Sequence, residues 1–135
     1  MKKKEFRVKV DMSVGQANVV LAALDLYSRL HMGQVDNVEM FYRLLGIKLN
    51  KTNQCRTVSQ LCDDIKANVF PELSRDGFYG ITSDKIHDDA RVAWDLIQAM
   101  RRPIAWKQHP EGGMTVDFDA PLKTSGVDLA KVEVE

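Results

Sequence analysis

A chain of 135 residues has the length of one ordinary domain and can bury a genuine core. Hydrophobic residues make up 44% and charged residues 28%, a balance that excludes an intrinsically disordered chain. Lysine plus arginine equals aspartate plus glutamate at 19 each, so there is no overall basic excess for a DNA or RNA duplex, and only a local cationic pocket stays open.

Met1-Lys-Lys-Lys4 carries the charge of a signal peptide's first part, but no apolar run follows it. Phe6, Val8 and Val10 alternate with Arg7, Lys9 and Asp11 instead, so neither a signal nor a membrane span is expected. This period of two predicts a half-buried strand. Ser13 and Gln16 form a capping box that opens a helix running to Met32, with Gly33 as its stop. Apolar residues nearly encircle that helix from Val19 to Leu26, which predicts a central position. It ends by delivering Arg29, His31 and Gln34 around the glycine. Such a cluster suits one corner of an anion pocket. Ordinary capping of a helix C-terminus supplies the same residue types, and on spacing alone that reading ranks first.

A second helix is expected over Val38–Leu45, capped by Asp36 and stopped by Gly46, followed by the polar loop Asn50–Arg56. Thr57 and Gln60 form another capping box, opening a helix to about Val69 that Phe70-Pro71 ends. Cys55 and Cys62 match no common zinc spacing, and Cys62 reads as a small core residue. Residues 71–83 form a long connection in which Phe78 and Tyr79 sit between Gly77 and Gly80. Two aromatics there are either anchors that pin the loop or a platform for a flat ligand, and anchoring ranks first.

Ser83 or Asp84 is expected to cap the last helix, along which Ile86, Ala90, Ala93, Trp94, Ile97 and Met100 keep helical spacing. Pro103 should kink or end it. After the turn at His109–Gly113, Met114, Val116 and Phe118 alternate with Thr115, Asp117 and Asp119, predicting a second strand. Its acidic face would complement Arg7 and Lys9 in an antiparallel pair. The resulting expectation is α+β, three or four helices packed on a small antiparallel sheet. It forms a single domain over 1–121, with 122–135 a tail that adds a strand, here or to another subunit, or is disordered. A two-stranded sheet is marginal alone, so a homo-oligomer is expected.

Phosphate-binding loops, dinucleotide fingerprints, zinc-protease helices and nucleophile elbows are all missing from the sequence. Of the three histidines, none has a helical i, i+4 histidine partner. Asp63-Asp64 and Asp88-Asp89 are explained by helix N-terminal dipoles. Arginines at the ends of core helices suit phosphates, and exposed aromatics suit nucleobases. With no visible general base or nucleophile, that combination suggests binding without turnover, and on the residues alone surface ion pairs rank above a shared pocket for the arginines.

Three blocks carry a resemblance: Ala23–Gln34, Ala93–Ala105 and Pro110–Pro121. Together they resemble small proteins of tailed phages, and within these the first family of anti-Thoeris sponges. That family sequesters cyclic ADP-ribose isomers made by bacterial immune TIR proteins without cleaving them. Some members hold cyclic oligonucleotides of the CBASS defence, and the family forms dimers and larger assemblies. The resemblance implies no cofactor, no catalysis and residence in the cytoplasm of the infected bacterial host. It implies phosphate contacts for Arg29 and Arg101 and an aromatic clamp at Phe78 or Tyr79. A polar contact, commonly Asn in the family, would fall to Ser83, since Thr82, Ser83 and Asp84 occupy that place. Arg102-Pro103 departs from the continuous helix that the family pattern implies. An interaction module for a host protein is the alternative, and a small nucleotide-acting enzyme using His31 or His87 is the third.

Overall fold

The computed structural model describes residues 5–37 and 58–135. Among the described residues the helices are α1 (Val14–His31), α2 (Val58–Val69) and α3 (Asp88–Gln108), followed by a 3-10 turn at Val116–Phe118. The expected helix at Val38–Leu45, and Cys55 and Thr57, lie outside the described residues.

The capping box opens α1 as the sequence predicts. Ser13 Oγ accepts from the Gln16 N–H at 3.2 Å, and Gln16 Oε1 accepts from the Ser13 N–H at 2.8 Å. At the other end Gly33 adopts a φ of 87°, open to glycine without strain, and the chain turns away. The apolar girdle of α1 does not make it central. Its buried residues are Ala17 and Ser28, and Val19 is 70% exposed.

Helix α3 holds more buried residues than either other described helix, with Ala90, Ala93, Ile97 and Met100 on one face. Its cap is His87, not Ser83 or Asp84: His87 Nδ1 accepts from the Asp89 N–H at 3.2 Å. Pro103 does not end it, and the helix continues to Gln108 around the missing donor. The two long helices run antiparallel. His31 neighbours His87, the Ser28 hydroxyl donates to the Ala90 carbonyl at 3.0 Å, and Leu24 shares a groove with Ala93 and Leu96. Ser28 and Ala90 are both fully buried, so the close approach depends on small side chains.

Helix α2 buries Cys62 as expected, and Lys66 with it. The Lys66 ammonium donates to the Arg75 carbonyl at 2.7 Å and the Gly77 carbonyl at 2.5 Å. One buried charge thereby folds the 70–77 connection back over its helix, with its cost met by carbonyl dipoles.

No strand or sheet occurs among the described residues, so the α+β expectation is corrected to a small helical domain. Residues 5–12 carry no helix or strand and make no backbone hydrogen bond among the described residues, with Phe6, Val8 and Val10 at 86%, 75% and 68% exposure. The second expected strand is broken by its own aromatic. Phe118 packs edge-on against Trp106, with centroids 5.3 Å apart, and its carbonyl accepts from the Trp106 indole at 3.1 Å. That carbonyl is spent on a side chain, and 116–118 closes into a 3-10 turn. Asp117 faces Arg101 rather than a basic strand.

Beyond residue 119 the chain runs back along α3. Gln98 exchanges two hydrogen bonds with the Leu122 backbone, both 3.0 Å. The buried Asp95 carboxylate then accepts from the Thr124 N–H at 2.9 Å, the Thr124 hydroxyl at 2.7 Å and the Ser125 N–H at 2.9 Å. No helix among the described residues is long and apolar enough to cross a membrane.

Candidate functional site

The C-terminal end of α1, the 70–87 connection and the start of α3 meet at one end of the helical pair. Tyr79 ties them together. Its N–H donates to the Met32 carbonyl at 2.8 Å, and its ring packs against Met32, Ile86 and Ala90. Its hydroxyl donates to the Glu72 carboxylate, and Phe70 meets its ring edge-on at 6.3 Å. That hydrogen bond pushes the phenol up to about 12 and holds the Glu72 carboxyl below its usual range. Tyr79 is therefore an anchor. Phe78, its neighbour, is 57% exposed and open to solvent.

Arg29 lies at the same end. Its Nε donates to Asp25 at 2.9 Å, one turn earlier, and its Nη1 donates to Gln34 Oε1 at 2.9 Å. Gln34 is itself placed by the glycine turn, through its N–H to the Arg29 carbonyl at 3.0 Å and the Asn37 amide on its own carbonyl at 3.0 Å. A side chain at Gly33 would strike Leu73, whose Cδ1 would lie 2.6 Å from the added Cβ. Held on two sides, the guanidinium keeps a fixed plane, with Nη2 unbonded among the described residues. A fixed fork suits an anionic oxygen, although Asp25 already offsets part of its charge.

Ser83 shapes the loop more than it offers itself. Its N–H closes a turn on the Gly80 carbonyl at 3.0 Å, its hydroxyl accepts from the Lys85 N–H at 3.2 Å, and its carbonyl accepts from Arg91. Arg101 is not brought to this end. It follows Ala90 by eleven residues along α3, which at 1.5 Å per residue is roughly 16 Å of helix axis. There its Nε faces Asp117 at 3.5 Å. Four of the five expected contacts thus share one neighbourhood, and Arg101 stands at the opposite end of the helical pair.

The structure also joins residues that the sequence left separate. The His31 and His87 rings lie 6.2 Å apart, Tyr27 meets His31 edge-on at 4.6 Å, and Asp89 sits 3.4 Å from His87 Nδ1. Their sequence separation hides the pairing, and only antiparallel packing of α1 on α3 reveals it. Among the described residues no group of three or more His, Cys, Asp or Glu could hold a metal ion. No family model, no curated protein and no solved structure matches the chain.

Proposed function

We propose that this protein is a phage anti-defence sponge that binds a cyclic nucleotide immune signal in the host cytoplasm without cleaving it. A cyclic ADP-ribose isomer is the first candidate and a cyclic oligonucleotide the second. The three sequence blocks that resemble the anti-Thoeris sponges motivate the reading. The observation that carries it is an oriented Arg29 in the last turn of α1, where the Met32 carbonyl holds the Tyr79 N–H next to the exposed Phe78. Arginine would take a phosphate and phenylalanine a base face. Because Arg101 lies at the far end, its participation requires a second copy of the chain, and the active form is a homo-oligomer.

Calorimetric titration with cyclic ADP-ribose isomers and a cyclic trinucleotide, followed by heat release and chromatography, tests the reading. Tight binding with intact ligand recovered is the expected result. Phe78→Ala should weaken binding about 5- to 150-fold, the equivalent of about 1–3 kcal/mol of stacking. Arg29→Ala should weaken it further, while Tyr79→Phe retains it. Flat titrations with every ligand, or recovery of a hydrolysed product, overturn the proposal.

A further inference from the structure

Two stretches of this chain carry no helix or strand among the described residues and, once extended, are complementary. Residues 5–12 make no backbone hydrogen bond among the described residues, and neither do 128–135. The first places Phe6, Val8 and Val10 on one face and Arg7, Lys9 and Asp11 on the other. The second places Val132 and Val134 on one face and Lys131, Glu133 and Glu135 on the other. An exposed edge of this kind, with bare N–H and C=O groups and a row of apolar side chains, is a template for another strand.

We infer that residues 7–11 of one copy pair with residues 131–135 of a second copy as an antiparallel β-ladder, reciprocated by the two-fold operation. One register gives each of residues 7–11 a complementary partner. Val8 stands opposite Val134 and Val10 opposite Val132, while Arg7 meets Glu135, Lys9 meets Glu133 and Asp11 meets Lys131. All three charge pairs are of opposite sign and both apolar pairs share a face, the combination that stabilises cross-strand neighbours. Sliding by two residues sets Lys9 against Lys131 in one direction and Asp11 against Glu133 in the other. A parallel register that sets Arg7 against Glu133 and Lys9 against Glu135 also matches signs, with Glu5 in place of Asp11 against Lys131, but parallel ladders are less stable per residue.

The surroundings favour the same pairing. Val132 lines an open groove of about 340 Å³ with Ala99, Pro103, Trp106 and Leu129. A strand added beside 131–135 would lay Val8 and Val10 along that apolar floor. The start of α1 lies at the Trp106 end of α3, because the helices are antiparallel, so residues 5–12 leave the body at the end where 131–135 arrives. Within one copy no hydrogen bond joins the two stretches among the described residues, and Phe6 keeps 86% exposure. Exchange between two copies satisfies both stretches in each. The inference is independent of the ligand: a ladder can form whether or not a cyclic nucleotide binds.

Charge reversal separates pairing between copies from pairing within one. One variant carries Arg7→Glu and Lys9→Glu, and another carries Glu133→Lys and Glu135→Lys. Sedimentation should show wild type at about twice 15.3 kDa and each variant alone at 15.3 kDa. Mixing the two variants should restore the dimer, because both reciprocal ladders regain opposite signs. Combining all four substitutions in one chain should restore it as well. A monomeric wild type, a dimer that survives in either variant alone, or a mixture that stays monomeric overturns the inference. Asp11→Lys should raise the dissociation constant, and an unchanged constant overturns the antiparallel register.

Discussion

Asp95 shows how a single carboxylate organises a segment with no secondary structure of its own. The residue is 4% exposed, a position that ordinarily favours the neutral acid. Burial does push its carboxyl up, but hydrogen bonds from Thr124 and Ser125 outweigh that effect and hold it below the ordinary 3.8. A folded-state value below the unfolded one means that ionised Asp95 favours the folded chain. The contribution is present above the unfolded value and is lost as pH falls through the folded one, so acid should release the 122–126 stretch below about pH 3.8. Asp95→Ala should lower unfolding free energy by about 1.5–3 kcal/mol, the range for hydrogen bonds to a charged group. Urea denaturation at neutral pH measures that loss. Amide exchange at Thr124 and Ser125 should accelerate in the variant, and its stability should fall less steeply than wild type on acidification. Equal acid sensitivity in both proteins would remove the assigned role.

At the scale of elements, the contact between α1 and α3 is set by what is small. Ser28 is fully buried against Ala90, and its hydroxyl is satisfied by the Ala90 carbonyl. Ser28→Leu would force the helices apart and leave its neighbours off their preferred rotamers, at a cost of about 1–3 kcal/mol. Ser28→Ala keeps the spacing and should cost less, about 1 kcal/mol for the lost bond. Chemical denaturation of the pair separates overpacking from hydrogen bonding: the order of the two costs must be leucine above alanine. Signals of short range were legible in the sequence at this scale. The Ser13–Gln16 capping box, the Gly33 stop and the burial of Cys62 each follow from residues within one or two turns. The period-two stretches misled, because alternation describes a strand only once another edge is supplied. Phe6–Val10 has no such edge within the described chain, and Phe118 gives its carbonyl to Trp106. The His87 cap was missed because an imidazole is an uncommon N-cap and Ser83 and Asp84 stand close by. Arg29, Phe78, Tyr79 and Ser83 lie toward one end of the helical pair through local turns and the Tyr79–Met32 backbone bond. Arg101 was placed with them by motif alone, and antiparallel packing carries it to the opposite end.

For the whole molecule, the described residues bury few large side chains. The only fully buried residue besides Ala90 is Ser28, and much of the rest is alanine. Large apolar groups remain outside: Phe6, Val8, Val10, Met114 and Leu122 are each at least 68% exposed. A monomer with this distribution leaves hydrophobic free energy unused, and association is the ordinary way to recover it. If copies exchange strands, unfolding is linked to dissociation, and the thermal midpoint must depend on protein concentration. For a chain of this size the linkage amounts to about 2–4 °C for each tenfold rise in concentration above the dissociation constant. Scans of wild type over a hundredfold concentration range should show that slope. The Arg7→Glu, Lys9→Glu variant should show a flat line at the lower end, since it keeps the helical body and loses the ladder. Molar salt should shift the dissociation constant upward by screening the three exposed charge pairs, while the Val8 and Val10 contacts persist. A midpoint independent of concentration in wild type would mean that the helical body is stable alone and that the exposed stripe serves a different partner.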